Sequence, residues 1–221
     1  MKKVWLFDMD GLLVDTERLH VRFWKEVLPG DPKLIDELLH HTLGTNGEMA
    51  KDVAERYTGD RNFMVRHNAE KEKRMRAYVD AHGLMPKKGA VHLLTYLKNH
   101  QDTCIVVSSS SYQDVRYALK KAGLDEFFTC YVCGDQVEKT KPDPEIYLKA
   151  LADYQIKKEE AVVLEDSING IKAARAADID VIGIPDLVAI DHLAGDHVAI
   201  YASLEDVFSQ LSHDSFHLFE K

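Results

Sequence analysis

The sequence has few cysteines. Its 221 residues include three, Cys104, Cys130 and Cys133, and an odd, low count does not build a disulfide framework. Cys130 and Cys133 form a CxxC pair, but they stand in the apolar stretch FFTCYVCG, with no second CxxC or histidine pair nearby. We therefore expect buried structural thiols rather than a redox or zinc site.

The chain also lacks an excess of positive charge. It has 28 lysines and arginines against 37 acidic residues, a formal net charge of −9. Non-specific binding of nucleic acid or of an anionic membrane needs a basic surface. The charge argues against both partners, and it leaves open a local positive pocket for a small anion.

Long hydrophobic runs are absent as well. The first apolar run, Val4–Phe7, stops at Asp8 and is too short for a secretion signal. No run approaches the ~20 residues of a membrane span, while 45% hydrophobic residues exclude a disordered chain. We expect a soluble, cytoplasmic protein, and the sequence leaves open whether it is a monomer or a dimer.

Short apolar segments rich in β-branched residues alternate with amphipathic ones. Strands are predicted at residues 4–7, 104–107, 128–132, 161–164, 181–184 and 197–201. Helices are predicted between them at residues 90–97, 113–122, 144–151 and 169–177. Near-continuous apolar strands are typical of parallel sheets covered on both faces. The pattern predicts a doubly wound, mostly parallel α/β domain.

One interval breaks this alternation. Between residues 15 and 84 we find no strand pattern, but helical patterns at residues 16–28, 33–42, 48–57 and 62–82. The simplest interpretation is a long helical excursion. A sharper one is a helical cap placed over the carboxyl ends of the strands, where α/β proteins bind ligands. The predicted domains are an α/β core, residues 1–14 and 85–221, and a cap, residues 15–84.

Reactive side chains follow four strands, at the point where each strand ends. In chain order they are Asp8 and Asp10, the serine run 108–111, Lys141, and Glu165 with Asp166. Because parallel strands end at one edge, we expect these groups to share a crevice. Clustered carboxylates repel unless a cation lies between them, and such oxygen ligands suit Mg²⁺. A lysine and a hydroxyl beside them would bind phosphate oxygens, and a carboxylate could act as nucleophile.

Each feature also has an ordinary structural explanation. An aspartate after a strand commonly caps a turn or a helix. A serine run commonly begins a helix, a lysine before proline is commonly a surface residue, and Glu-Asp-Ser can cap the helix that follows. Their occurrence at successive strand ends favours a shared site.

Four short motifs resemble those of the haloacid dehalogenase superfamily: Asp8-Met9-Asp10-Gly11, Ser108, Lys141-Pro142 and Glu165-Asp166. The resemblance covers essentially the whole chain. The stretches FDMDGLLVDTERLH and EDSINGIKAA are most similar to beta-phosphoglucomutase-like enzymes and small sugar-phosphate phosphatases. The implied fold is a Rossmann-like core with an inserted α-helical cap.

The resemblance implies a magnesium-dependent mechanism through an aspartyl-phosphate. Asp8 would attack phosphorus, and Asp10 would protonate the leaving oxygen and then deprotonate the hydrolytic water. Ser108 and Lys141 would hold the transferring phosphoryl oxygens. The implied Mg²⁺ ligands are the Asp8 carboxylate, the Asp10 backbone carbonyl, Asp166, and Glu165, which either ligates or orients a ligand.

Further residues are implied near the substrate. Gly11 would let the chain turn sharply beside the metal, and Thr16 would lie near the hinge of the cap. His20 would contact Asp10 when the cap closes, unless it is an ordinary cap-helix histidine. The other candidates are Ser109, Asn46 and a cation of the long fourth cap helix, with Lys73 chosen among Lys71, Lys73, Arg74 and Arg76, most of which must be solvated.

Asp10 favours a phosphate ester, because relatives that cleave carbon–halogen or carbon–phosphorus bonds lack an acid two residues after the nucleophile. Mutase relatives carry an arginine in the second cap segment, where this chain has Asn46 and Gly47. We therefore expect a phosphomonoester hydrolase acting on a small phosphorylated metabolite such as a sugar phosphate. The alternatives are a beta-phosphoglucomutase-type mutase and a non-catalytic phospho-ligand-binding module. The module is disfavoured because every expected catalytic side chain is present.

Overall fold

Six parallel strands form one sheet in the part of the chain that the computed structural model describes, residues 2–43 and 47–212. The strands are β1 (Val4–Phe7), β2 (Thr103–Ser108), β3 (Cys130–Cys133), β4 (Ala161–Glu165), β5 (Asp180–Gly183) and β6 (Val198–Ile200). Their order is β3-β2-β1-β4-β5-β6. The direction of winding reverses between β1 and β4, as in doubly wound α/β proteins. The predicted fold class is confirmed.

The chain divides into two compact units, and the second of them is entirely helical in its described part. This helical unit, Thr16–Leu84, contains α1 (Thr16–Val27), α2 (Pro32–Thr42), α3 (Gly47–Thr58) and α4 (Phe63–His82). One apolar cluster of this unit contains the buried side chains Leu28, Ile35, Leu38, Leu39 and Ala54.

The first unit runs up to Asp15 and resumes at Met85, and it contains the sheet. We refer to it as the sheet unit. Within this unit the Asp15 N–H donates to Met85 O at 3.2 Å. The helices of this unit are α5 (Ala90–Asn99), α6 (Tyr112–Ala122), α7 (Glu145–Asp153), α8 (Ile168–Ala176) and α9 (Leu204–Ser212).

Alternation along β1 explains how the sheet is covered. Leu6 belongs to an apolar cluster with Ile146 of α7 and Ile171 of α8. Its neighbours Trp5 and Phe7 are also buried, and successive side chains of a strand point to opposite faces. A strand buried on both faces has no polar position, which is why the predicted strands were continuous apolar runs.

Observed boundaries differ little from the predicted ones, with two exceptions. Strand β3 begins at Cys130 rather than at Phe128, because a 3₁₀ turn, Asp125–Phe127, precedes it. Helix α9 was not predicted, although Ser203 accepts a hydrogen bond from Asp206 N at 3.3 Å, as a helix-capping serine does. None of the helices in the described residues is both long and apolar enough to cross a membrane.

Candidate active site

The candidate site lies at the carboxyl ends of β1 and β4, where the winding of the sheet reverses. Asp8 directly follows β1, and its N–H donates to Leu164 O in β4 at 3.0 Å. Glu165 ends β4, and Asp166 follows it. Asp8 and Asp166 are each 8% exposed, and Glu165 is fully buried. Sheet pairing therefore brings motifs from distant parts of the sequence into one buried cluster.

Lys141 connects two of these carboxylates. Its Nζ donates to Asp8 Oδ1 at 2.6 Å, to Glu165 Oε1 at 2.6 Å and to Val107 O at 3.1 Å. The lysine is 5% exposed. Three acceptors use all three ammonium hydrogens, so the position of this charge is fixed.

Glu165 accepts hydrogen bonds from five donors. Its Oε1 accepts from Lys141 Nζ and from Tyr147 OH, the latter at 3.0 Å. Its Oε2 accepts from Asp166 N at 3.1 Å, Ser167 N at 3.2 Å and Ser167 Oγ at 3.0 Å. An ionised carboxylate offers about four lone-pair sites. This saturation favours a role for Glu165 in orienting Lys141 and Asp166 over direct metal binding.

The pKa values reflect burial and this ion pair. Burial raises the pKa of the Asp8 carboxyl to about 8, while the Lys141 ammonium acts to lower it. Burial acts to lower the pKa of Lys141, but Asp8 and Glu165 outweigh it and hold that pKa well above its usual range. The lysine is therefore a permanent positive charge in the cluster.

The donor set fits a hard divalent cation. Carboxylate oxygens of Asp8, Glu165 and Asp166 all lie within 4.8 Å of one another. Mg²⁺ in proteins is typically bound by one or two carboxylates together with waters and substrate phosphate oxygens. Gly11 has φ +80°, and a Cβ built there would lie 2.9 Å from Asp166 Cγ. The glycine thus keeps the space in front of Asp166 open.

The four serines at residues 108–111 differ in their contacts and in their burial. Ser110 Oγ donates to Asp10 Oδ2 at 2.9 Å, and Ser110 N donates to Ser108 Oγ at 3.1 Å. Ser108 is 1% exposed. The Ser109 side chain is exposed, and its backbone packs against Gly134. Ser111 caps α6 by accepting from Asp114 N at 3.3 Å, as the ordinary explanation of a serine run predicts.

The other predicted substrate contacts lie in the helical unit. Thr16 is buried at the start of α1. His20 Nδ1 lies 2.8 Å from Lys71 Nζ, and this lysine is 3% exposed and 5.0 Å from the Trp24 ring. Lys73, chosen from the sequence, is exposed. The structure therefore singles out Lys71 as the buried cation of α4, while Asn46 lies outside the described residues.

The helical unit also contains a pocket of about 490 Å³ that is partly open to solvent. Both apolar and polar side chains line it, among them His20, Trp24, Leu39, Lys51, Arg61 and Met64.

The sequence analysis assigned no individual contact to three side chains that lie at the site. Tyr147 bonds to Glu165, and Ser110 bonds to Asp10. Asp186 follows β5, and its Oδ1 accepts from Lys87 Nζ at 2.6 Å. Asp186 could have been found from its position, because it follows the carboxyl end of a fifth predicted strand.

Comparison with known proteins identifies the family. The sequence profile described as "Haloacid dehalogenase-like hydrolase" matches residues 5–184. The phosphorylated carbohydrates phosphatase of Thermotoga maritima is 31% identical over 180 residues, which covers 79% of this chain and 81% of that protein. A probable pseudouridine-5'-phosphatase of Drosophila melanogaster is 31% identical over 214 residues, covering 91% and 89%.

Solved structures agree with this assignment. The crystal structure of CbbY from Rhodobacter sphaeroides in complex with phosphate superposes with a TM-score of 0.77 at 26% identity, covering 94% of this chain and 96% of that one. A putative beta-phosphoglucomutase from Thermotoga maritima superposes with a TM-score of 0.76 at 25% identity, covering 97% and 100%. The chain therefore belongs to the haloacid dehalogenase-like hydrolase family.

Proposed function

We propose that this phosphatase hydrolyses the phosphate ester of a small phosphorylated metabolite, in the first place a sugar phosphate, with Asp8 as nucleophile. One observation carries the proposal. Lys141 Nζ joins Asp8 Oδ1 to Glu165 Oε1, 2.6 Å from each, with Asp166 as the next residue. A nucleophile, a fixed cation and carboxylates suited to a metal thereby share one buried cluster.

Asp8 performs the first step. A carboxylate oxygen attacks phosphorus in line with the ester oxygen, so that a new P–O bond forms while the ester P–O bond breaks, giving an aspartyl-phosphate. Lys141 orients this carboxylate through Oδ1, and its charge offsets the negative charge around the phosphoryl group. Ser108 Oγ accepts from Ser110 N, so its own hydroxyl hydrogen can be donated to a phosphoryl oxygen.

Asp10 moves the protons. It gives a proton to the leaving ester oxygen, which departs as an alcohol. It then accepts a proton from the water that attacks the aspartyl-phosphate, and inorganic phosphate leaves with Asp8 restored. Ser110 Oγ, 2.9 Å from Asp10 Oδ2, fixes the orientation of this carboxyl group for both transfers.

Three groups would hold Mg²⁺, namely the carboxylates of Asp8 and Asp166 and the backbone carbonyl of Asp10. Bound there, Mg²⁺ supplies positive charge where negative charge develops on the phosphoryl oxygens. Glu165 would keep Lys141 and the Asp166 backbone in place through the five hydrogen bonds that it accepts.

Two relatives suggest which substrates to test first. The Thermotoga maritima protein is named for phosphorylated carbohydrates, and the Drosophila protein for pseudouridine 5'-phosphate. We propose sugar phosphates as the first substrate class and nucleoside 5'-monophosphates as the second. Both present a phosphomonoester whose leaving alcohol needs the proton that Asp10 supplies.

The test is phosphate release from a panel of both classes, with Mg²⁺ and with EDTA. Asp8→Asn serves as the blank, because asparagine keeps the size of the side chain and an oxygen acceptor for Lys141. We expect release that depends on Mg²⁺ and is lost in the blank. Borohydride reduction of quenched enzyme converts an aspartyl-phosphate to homoserine, and mass spectrometry should locate homoserine at residue 8.

Release that continues in Asp8→Asn would overturn the nucleophile assignment. Interconversion of hexose phosphates with a bisphosphate activator, without net release, would support the mutase alternative instead. Absence of both activities across the panel would favour the binding module.

A further inference from the structure

Asp186 lies at the candidate site without a role in the steps above. It is in the loop after β5, and its side chain is 2% exposed. Lys87 Nζ donates to its Oδ1 at 2.6 Å, and the Lys87 side chain is 18% exposed. A carboxylate this deeply buried needs a counter-charge, and Lys87 supplies it.

Asp186 and Asp166 both lie beside Gly11. A Cβ at Gly11 would overlap the Asp166 carboxylate, with Cγ at 2.9 Å, and would lie 3.3 Å from Asp186 Oδ2. The two carboxylates, one from the end of β4 and one from the end of β5, therefore face the same point of the backbone. Any side chain at position 11 would displace at least one of them, and the positive φ there also favours glycine.

Lys87 also contacts the loop that carries Asp10. The Lys87 N–H donates to Leu13 O at 2.9 Å, and its Nζ lies 3.9 Å from Asp15 Oδ1. The ion pair thus connects the Asp10–Asp15 loop to the end of β5. It fixes where the negative charge of Asp186 lies relative to Asp166.

We propose that Asp186 is a positioning residue for divalent-cation binding, which raises the affinity of the cluster around Asp8 and Asp166 for Mg²⁺. The physical reason is charge. Lys87 holds Asp186 through Oδ1, while Oδ2 lies near the point of the backbone that Asp166 also faces. This negative oxygen disfavours turning of Asp166 toward it and away from Asp8. Groups that support metal ligands in this way typically change metal affinity by about 10–100-fold. The inference rests on the proposed function for the cation site, but its test does not depend on turnover.

The first test is titration of metal-free protein with MgCl₂ by calorimetry. Asp186→Asn keeps shape and an oxygen acceptor for Lys87 while removing the charge. We expect Mg²⁺ affinity to fall about tenfold or more. Asp191→Asn is the matched control, because Asp191 is an exposed acid in the same stretch of chain. Circular dichroism of both variants verifies folding.

The second test uses Lys87→Met and thermal unfolding with and without Mg²⁺. Removing the lysine leaves the acidic cluster with one cation less, so added Mg²⁺ should raise the melting temperature by more than in the wild type. In Asp186→Asn the rise should be smaller. These opposite signs separate a charge effect on cation binding from a purely structural salt bridge, whose loss would lower stability equally with and without Mg²⁺.

Mg²⁺ affinity in Asp186→Asn equal to that of the wild type would overturn the inference, as would a change of the same sign in both variants. Opposite signs together with weakened binding would support it. A wild-type protein that binds Mg²⁺ but releases no phosphate would contradict the proposed function alone, since the binding comparison stands without catalysis.

Discussion

Lys141 Nζ and Asp8 Oδ1 form an ion pair 2.6 Å long in which only 5% and 12% of the two side chains are exposed. Buried ion pairs are weak evidence for stability, because removing both charges from water offsets much of their attraction. We therefore propose a functional role for this pair, in which Lys141 is a fixed positive charge next to the proposed nucleophile.

Replacing Lys141 with methionine removes this charge and keeps a side chain of similar length. We expect kcat to fall by about 10²–10³-fold, as for loss of one group that stabilises transition-state charge. The free energy of unfolding should fall by about 3–5 kcal/mol, because the buried Glu165 carboxylate and Asp8 lose the cation that they share. Kinetics and urea unfolding measure the two effects. Lys139→Met, at an exposed position, is the control, and a Lys141→Met enzyme as active as that control would refute the assignment.

Replacing Tyr147 with phenylalanine removes one oxygen atom. Its hydroxyl donates to Glu165 Oε1 at 3.0 Å, so the change should lower the free energy of unfolding by about 1 kcal/mol. It should also lower kcat, because Glu165 then holds Lys141 less rigidly. Tyr154→Phe removes a hydroxyl that bonds to the Tyr131 backbone, at 3.0 and 3.2 Å, and has no bond to Glu165 or Lys141 among those described, so it should lower stability alone. Equal kcat values for the two variants would contradict this role of Tyr147.

Replacing Gly170 with alanine should disturb the site without touching a reactive group. A Cβ there would overlap the carboxylate of Glu165, which is fully buried and cannot move aside. We expect a loss of about 1–3 kcal/mol of stability, typical of overpacking, together with lower activity. Gly195→Ala is the control, since a Cβ there meets nothing within 4 Å. Unchanged melting temperature and activity in Gly170→Ala would show that Glu165 is not held as tightly as described.

The affinity for Mg²⁺ should depend on pH. Burial raises the pKa of Asp8 to about 8, against the lowering effect of Lys141. Below that pH the metal-free protein holds a proton on Asp8 that Mg²⁺ must displace. Affinity should therefore rise from about pH 6 to about pH 8, with release of close to one proton per ion at the lower pH. Calorimetry in two buffers of different ionisation enthalpy measures this release.

The same proton affects stability with a definite sign. An unfolded aspartate has a pKa of about 4, so between that pH and about pH 8 the folded, metal-free state holds a proton that the unfolded state has lost. This contribution stabilises the metal-free protein at low pH and disappears as the pH rises toward 8. A pH-independent Mg²⁺ affinity without proton release would contradict both expectations.

Two of the three cysteines, Cys104 and Cys133, should react slowly with alkylating reagents in the folded protein. Burial raises the pKa of Cys104 and of Cys133 to about 12, so both remain thiols at pH 8, and the thiolate is the reactive form. Mass spectrometry after iodoacetamide treatment should find these two positions unmodified in native buffer and modified in urea. Rapid native modification of either would contradict their interpretation as structural thiols.

The sheet could be predicted well because the strands of a parallel sheet have a distinctive sequence pattern. Strands buried on both faces, such as β4, are continuous apolar runs. Strand direction then placed Asp8, Lys141 and Glu165 at one edge, and the distances between them agree. Asp186 is missing from the predicted site because Pro-Asp after a strand is also common in ordinary turns.

Lys71 shows a different limit. Helix α4 is highly charged, and propensity alone does not say which of its cations is buried. The spacing of the apolar residues did indicate which face of α4 is buried. Met75 and Val79 are four residues apart, Lys71 lies four residues before Met75, and all three are buried. Periodicity of 3.6 would have placed Lys71 on the inner stripe and Lys73 outside it. Residue contacts such as the one with His20 remain beyond sequence reasoning, since they depend on how α1 and α4 pack.

The position of β1 in the sheet has a consequence for how the protein is made. Val4 of β1 pairs with Thr103 of β2 on one side and with Ala161 of β4 on the other. Strand β1 is therefore made long before β4, the second strand that it pairs with. Until β4 is made, Asp8 stays apart from Glu165 and Asp166, and the mutual repulsion of these acids is deferred to a late stage of assembly. A ribosome-bound chain that ends before β4 should therefore have no assembled cation site, however well its helices have formed.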